Sequence, residues 1–151
     1  MKKYIAIGLV LILVVLIFLF KFLFLPNTTI NPPYAKINNL TLELEIADDF
    51  NERKQGLSNR ETLCKDCGML FIFPDKQVRN FWMKDMNFPL DIIWINDDKI
   101  EGINENLLPE GEVPGKTYSS ILPVNYVLEI NAGLANEYGL EAGDRIELIF
   151  E

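Results

Sequence analysis

Cys64-Lys-Asp-Cys67 is a dithiol with two residues between the sulfurs. In an oxidising compartment such a pair can exchange disulfides, and Lys65 would favour the thiolate. The same spacing suits a structural disulfide across a turn, worth about 2 kcal/mol by the chain-entropy relation for so short a loop. With Met69, Met83 or Met86 the two thiols would make a soft donor set for Cu(I). Those methionines also read as core filling beside Phe71, Phe81 and Trp82, and no metal site is expected. Lys84, Asp91, Glu129 and Asp144 are charges set in or beside apolar strands. Charges are rarely buried unless paired. One reading is a structural ion-pair network or solvent-facing positions. The other is a pocket in which Lys84 is the cation and two carboxylates act as general acid and base, as in glycoside hydrolysis. Trp82 and Trp94 would add stacking surface for a sugar ring if exposed, but both lie in apolar runs that predict burial.

The chain has no histidine, which removes Ser–His and Cys–His relays and every imidazole metal site. Gly68, Gly133 and Gly143 have no phosphate-loop spacing and read as turn residues, so no cofactor is expected.

The elements that must position these groups are short. Leu40–Ile46 alternates strictly and predicts a half-exposed strand. Asp48 or Asp49 can cap a helical turn through Gln55 that Gly56 ends, and Ser58-Asn-Arg-Glu61 has capping-box spacing for a second turn towards Leu63. Met69–Phe73, Asn80–Met86 and Leu90–Ile95 are of strand length. Asn96-Asp97-Asp98 would join Leu90–Ile95 to Lys99–Asn104 as a hairpin. Leu107–Ser120 reads as a long surface loop and Tyr126–Ile130 as a strand. Asn131 is placed to cap a short helix through Tyr138, with Gly139 as its stop, before a last strand, Arg145–Phe150. The pattern predicts a mainly β fold with short helices, a compact β sandwich or barrel-like domain.

Composition divides the 151 residues into unlike parts. Met1–Leu25 carries three lysines and no acid, and Tyr4–Phe20 is apolar throughout apart from Gly8. A helix of about 22 such residues spans a hydrocarbon core about 30 Å thick. Lys2 and Lys3 then place the amino terminus in the cytoplasm. The run exceeds the apolar core of a signal peptide and ends without an Ala-x-Ala site, so an uncleaved transmembrane anchor, residues 1–25, is expected. Residues 26–39 form a linker with Pro32-Pro33 at its centre, and 40–151 the exported β-rich domain. After residue 25 stand 11 basic and 22 acidic residues, a formal charge of −11. That field repels polyanions, and no Lys/Arg cluster offsets it, so nucleic acid is not an expected partner.

The series Arg53-Lys-Gln-Gly-Leu57, Gly68-Met-Leu-Phe71, Phe81-Trp-Met-Lys84, Pro89-Leu-Asp-Ile-Ile93, Tyr126-Val-Leu-Glu129, Ala132-Gly133 and Gly143-Asp144 resembles the domain of unknown function 192 family, also called uncharacterised protein family 0127. The resemblance runs in order from about Leu40 to Phe150. It implies a small β-rich domain, often exported, and supplies no reaction. Leu57-Ser58 departs from the usual Leu-Met, and Asp85-Met86 from the usual Asn-Thr. The Cys64–Cys67 pair is not a family hallmark.

The function expected from these readings is a membrane-tethered extracytoplasmic binding or accessory module, with a protein, glycan or small molecule as partner. The alternative is an envelope enzyme, either a carboxylate hydrolase or a thiol–disulfide protein using Cys64 and Cys67.

Overall fold

The structure is a computed structural model that describes residues 13–17, 20 and 32–150. Residues 13–17 and 20 are helical. Among the described residues no helix is long and apolar enough to cross a membrane. The rest of the expected anchor, and residues 26–31 of the expected linker, lie outside the described residues.

From Tyr34 the chain is one mainly β unit. Its strands are β1 (Tyr34–Ile37), β2 (Leu40–Ala47), β3 (Cys67–Gln77), β4 (Asn80–Phe81), β5 (Leu90–Asn96), β6 (Lys99–Leu107), β7 (Tyr118–Ser119), β8 (Val124–Asn131) and β9 (Ile146–Ile149). Two short helices, α1 (Phe50–Gln55) and α2 (Leu134–Glu137), complete it. Seven strands form one sheet in the order β6-β5-β8-β3-β2-β1-β9, while β4 and β7 pair separately. Only β2–β3 is parallel, with α1 in the crossover between them.

The sheet curls until its edges meet at one end. Lys99 on β6 bridges Arg145, and the Ile146 amide donates to the Asp98 carbonyl at 2.9 Å. The Ile100 amide likewise donates to the Asp144 carbonyl at 2.9 Å. The fold is therefore a curled-sheet half-barrel, on the barrel side of the expected alternatives.

The central strands β3, β5 and β8 are buried on both faces, which is why they lack polar alternation. Leu70, Ile93, Ile95, Leu128 and Ile130 pack with β1, β2 and α2 on one face. Met69, Phe71, Ile92, Trp94 and Val127 pack on the other with Leu57, Met83 and Met86. Glu129, between Leu128 and Ile130, falls on that second face. Gly68 lets β3 and β8 close up, since a Cβ there would stand 2.9 Å from Leu128 Cδ1 and 3.1 Å from the Glu129 carbonyl.

Several local expectations hold. Asp49 caps α1 in a capping box with Glu52, and Gly56 ends it. The β5–β6 hairpin turns at Asp97-Asp98, with Asp97 at φ 56°. Others give way to tertiary contacts. Ser58 starts no helix, because its hydroxyl donates to the Lys84 carbonyl at 2.9 Å while Asn59 turns at φ 64°. Asn131 ends β8 instead of capping α2; its amide donates to the Cys64 carbonyl at 2.8 Å. The α2 N-cap is Gly133, which has no side chain to offer, and Asp91 on β5 accepts from the Ala135 amide in its place. Of Asn80–Met86 only Asn80–Phe81 is strand, since the following residues bond irregularly to the loop at Glu110 and Gly111. That loop in turn contains β7.

Candidate functional site

On the Phe71 face of the sheet a cavity of about 430 Å³ opens to solvent. Its buried floor is Leu57, Phe71 and Glu129, its walls include Phe73 and Phe81, and Phe50 and Trp82 stand exposed at its mouth. The capping box and Gly56 fix α1, the element that covers this floor. Gly56 has φ 50°, and a Cβ there would meet the Phe71 ring at 3.2 Å, so glycine both turns the chain and admits the ring. Phe81 sits edge-on to Phe71 at 4.9 Å between centroids and to Trp94 at 5.6 Å. These edge-to-face contacts hold the aromatic wall in one arrangement.

Glu129 is the group in this cavity able to do acid–base or charge chemistry at its floor. It is 4% exposed, and no described residue hydrogen-bonds or ion-pairs with its side chain. Burial alone pushes its pKa up to about 8, so at neutral pH the carboxyl is mostly protonated. Two cations belong to the rim. Arg53 is committed to protein: Nη1 donates to the carbonyls of Ile72, at 2.9 Å, and of Asp48, and the guanidinium lies 5.3 Å from the Phe73 ring centroid. Lys54 is exposed on α1.

The other residues singled out from the sequence do not converge here. Lys84 lies outside the cavity lining, part-exposed, with its ammonium 3.7 Å from Asp85. Asp91 is fully buried and satisfied, accepting from the Asn106 amide at 2.7 Å and the Ala135 amide at 3.0 Å. Asp144 serves the seam of the curled sheet, accepting from Asn38 Nδ2 at 3.1 Å and the Glu141 amide at 2.9 Å. Among the described residues Glu129 is thus the sole carboxylate lining the cavity, and they do not assemble the arrangement needed for paired-carboxylate hydrolysis there.

Trp94 is buried as expected, donating from Nε1 to Asn104 Oδ1 at 2.7 Å. Trp82 is not: it follows a two-residue strand at the cavity mouth and is 50% exposed. Cys64 and Cys67 are joined as a disulfide, with Cα atoms 5.2 Å apart, at the head of β3. Among the described residues no group of His, Cys, Asp and Glu is placed to hold a metal. Phe50, Arg53, Lys54 and Phe73 carry no local signal of a pocket in the sequence, because nothing local says that α1 lies over β3.

Fold and site together define a small curled-sheet domain with an acid-floored aromatic cavity. The chain belongs to the DUF192 family, described as uncharacterized ACR, whose model matches residues 34–148. It is similar to the crystal structure of a candidate transcription regulator from Sinorhizobium meliloti 1021, with 37% identity and a TM-score of 0.70 over 77% of this chain and 92% of that one. It is also similar to a protein of unknown function from Novosphingobium aromaticivorans DSM 12444, with 30% identity and a TM-score of 0.68 over 82% of this chain and 89% of that one. No curated protein matches significantly.

Proposed function

We propose that this protein is a small-molecule-binding module tethered to the outer face of a membrane by Met1–Leu25. The observation that carries the binding reading is an unpartnered, buried carboxyl on the floor of an open cavity with aromatic walls. Ligand sites combine an apolar lining with a few convergent polar groups and perturbed titratable residues. Here the rings would take an apolar body and Glu129 would make the orienting polar contact. The tether rests on the apolar run and its flanking lysines. A disulfide at Cys64–Cys67 accords with an oxidising compartment. The regulatory role suggested for the Sinorhizobium protein is not carried over, because a domain at −11 without a basic cluster repels nucleic acid.

The test is a fluorescence titration of the full chain with small aromatic probes, benzyl alcohol and benzylamine, following Trp82 at the mouth. Saturable quenching by at least one probe, lost in Trp82→Phe, supports the reading. No saturation by either rejects it. Protease accessibility of the domain on intact cells or spheroplasts tests the tether, and protection until lysis would reject it.

A further inference from the structure

We propose that the natural occupant of the cavity is an organic cation: an ammonium group carried on an apolar body, its nitrogen paired with the Glu129 carboxylate. This rests on the cavity being a binding site. The other fully buried polar residues, Asp91 and Ser120, have partners within the protein; the buried Arg79 Nε and Asn96 Oδ1 lack one but lie outside the cavity lining. Asp91 accepts two backbone amides, and Ser120 donates to the Leu122 carbonyl and accepts from the Arg79 amide. Glu129 has none among the described residues, and burial is the sole cause acting on its proton affinity. The charged side chains that line the cavity are Arg53 and Lys54, both on α1; β3, β4 and β8 contribute no other charge to it besides Glu129. Arg53 is held by carbonyls and Phe73, and Lys54 faces solvent. No side chain among the described residues partners this carboxyl, and the open cavity leaves room for an occupant to do so.

The rest of the site favours a cation over an anion or a neutral molecule. Phe71, Phe81 and Trp82 present aromatic rings, whose quadrupoles attract a desolvated ammonium group, while Phe73 is already engaged by the guanidiniums of Arg53 and Arg79. The domain's net charge of −11 concentrates cations around it, against the local positive charge of Arg53 and Lys54 at the rim. A neutral ligand would gain a hydrogen bond from the protonated carboxyl, whereas an ammonium gains a charge-assisted contact at the buried floor of the cavity. The proton balance follows. Protonated Glu129 and an ammonium ligand give a carboxylate–ammonium pair, and one proton passes from Glu129 to the buffer.

The experiment is isothermal titration of the full chain with benzylamine and its neutral counterpart benzyl alcohol. Titrations run between pH 6 and 8, in buffers of different ionisation enthalpy. The expected result is release of close to one proton at pH 6–7 and an affinity for benzylamine that rises about tenfold per pH unit towards pH 8. In Glu129→Gln, benzylamine should lose both its affinity and its pH dependence, while benzyl alcohol is affected less than threefold. Trp82→Ala, at an exposed position, should weaken benzylamine about tenfold without changing proton release, and serves if Glu129→Gln does not fold. Benzyl alcohol binding as tightly as benzylamine, or benzylamine binding without proton release, overturns the cation assignment and leaves the binding site standing. Binding of neither probe overturns both.

Discussion

Phe71 and Glu129 lie diagonally across the antiparallel β3–β8 pair, on the face that holds the cavity. Met69 stands directly opposite Glu129, and Phe71 is two residues further along β3. Burial on this face removes most of the water that would stabilise a carboxylate, and this raises the acid's pKa.

Stability should therefore fall as pH rises through the range where this acid differs between folded and unfolded chains. Unfolded, Glu129 ionises near its ordinary 4.5; folded, it holds its proton to about 8. Between these values the folded state binds the extra proton, so unfolding stability drops by up to about 1.4 kcal/mol per pH unit. Below 4.5 the benefit is complete, and above 8 it is gone. Urea melts of the wild type and Glu129→Gln between pH 5 and 8 should diverge steadily, the variant being the flatter. Parallel curves would show that Glu129 is not buried as described.

The two tryptophans should behave oppositely. Trp94→Ala removes a fully packed ring and a hydrogen bond to Asn104 and should cost about 3–5 kcal/mol. Trp82→Ala should change stability by no more than about 0.5 kcal/mol, because the ring is half in solvent. Denaturation midpoints of the two variants check this, and a large loss in Trp82→Ala would mean the ring is core.

Asp91 is predicted to be a structural residue. Asp91→Ala strands the amides of Asn106 and Ala135 and should cost about 2–4 kcal/mol. Hydrogen exchange should show α2 opening first. Unchanged protection at Ala135 would contradict the assignment.

The Cys64–Cys67 bond closes a short loop and should contribute about 2 kcal/mol. Replacing both residues with serine should lower stability by that amount and leave benzylamine affinity within twofold, since neither cysteine lines the cavity. A tenfold affinity change would instead couple the disulfide to the site.

How much of this was legible depended on the range of the cause. The α1 cap, the β5–β6 turn and the alternating β2 are set by neighbours within a few residues, and each stands where local chemistry places it. Glu129 was visible as a charge inside Tyr-Val-Leu-Glu-Ile, and the doubly buried β8 makes that anomaly a site. Ser58, Asn131 and Trp82 depart from their local patterns because distant partners or strand ends decide them. The Lys84 carbonyl claims the Ser58 hydroxyl, the Cys64 carbonyl claims the Asn131 amide, and β4 ends before Trp82.

The residue order alone accounts for the absence of histidine, the −11 charge behind an apolar stretch, and a β-rich domain with its turns, since composition and nearest-neighbour geometry suffice for these. It could not show which of four charged candidates shares a cavity. Asp91, Glu129 and Asp144 all interrupt apolar stretches, yet one pins a helix, one faces aromatic rings and one closes a seam. Their roles separate only when strands distant in sequence are brought together. Burial and the supply of hydrogen-bond donors belong to the space around a carboxyl rather than to its neighbours along the chain.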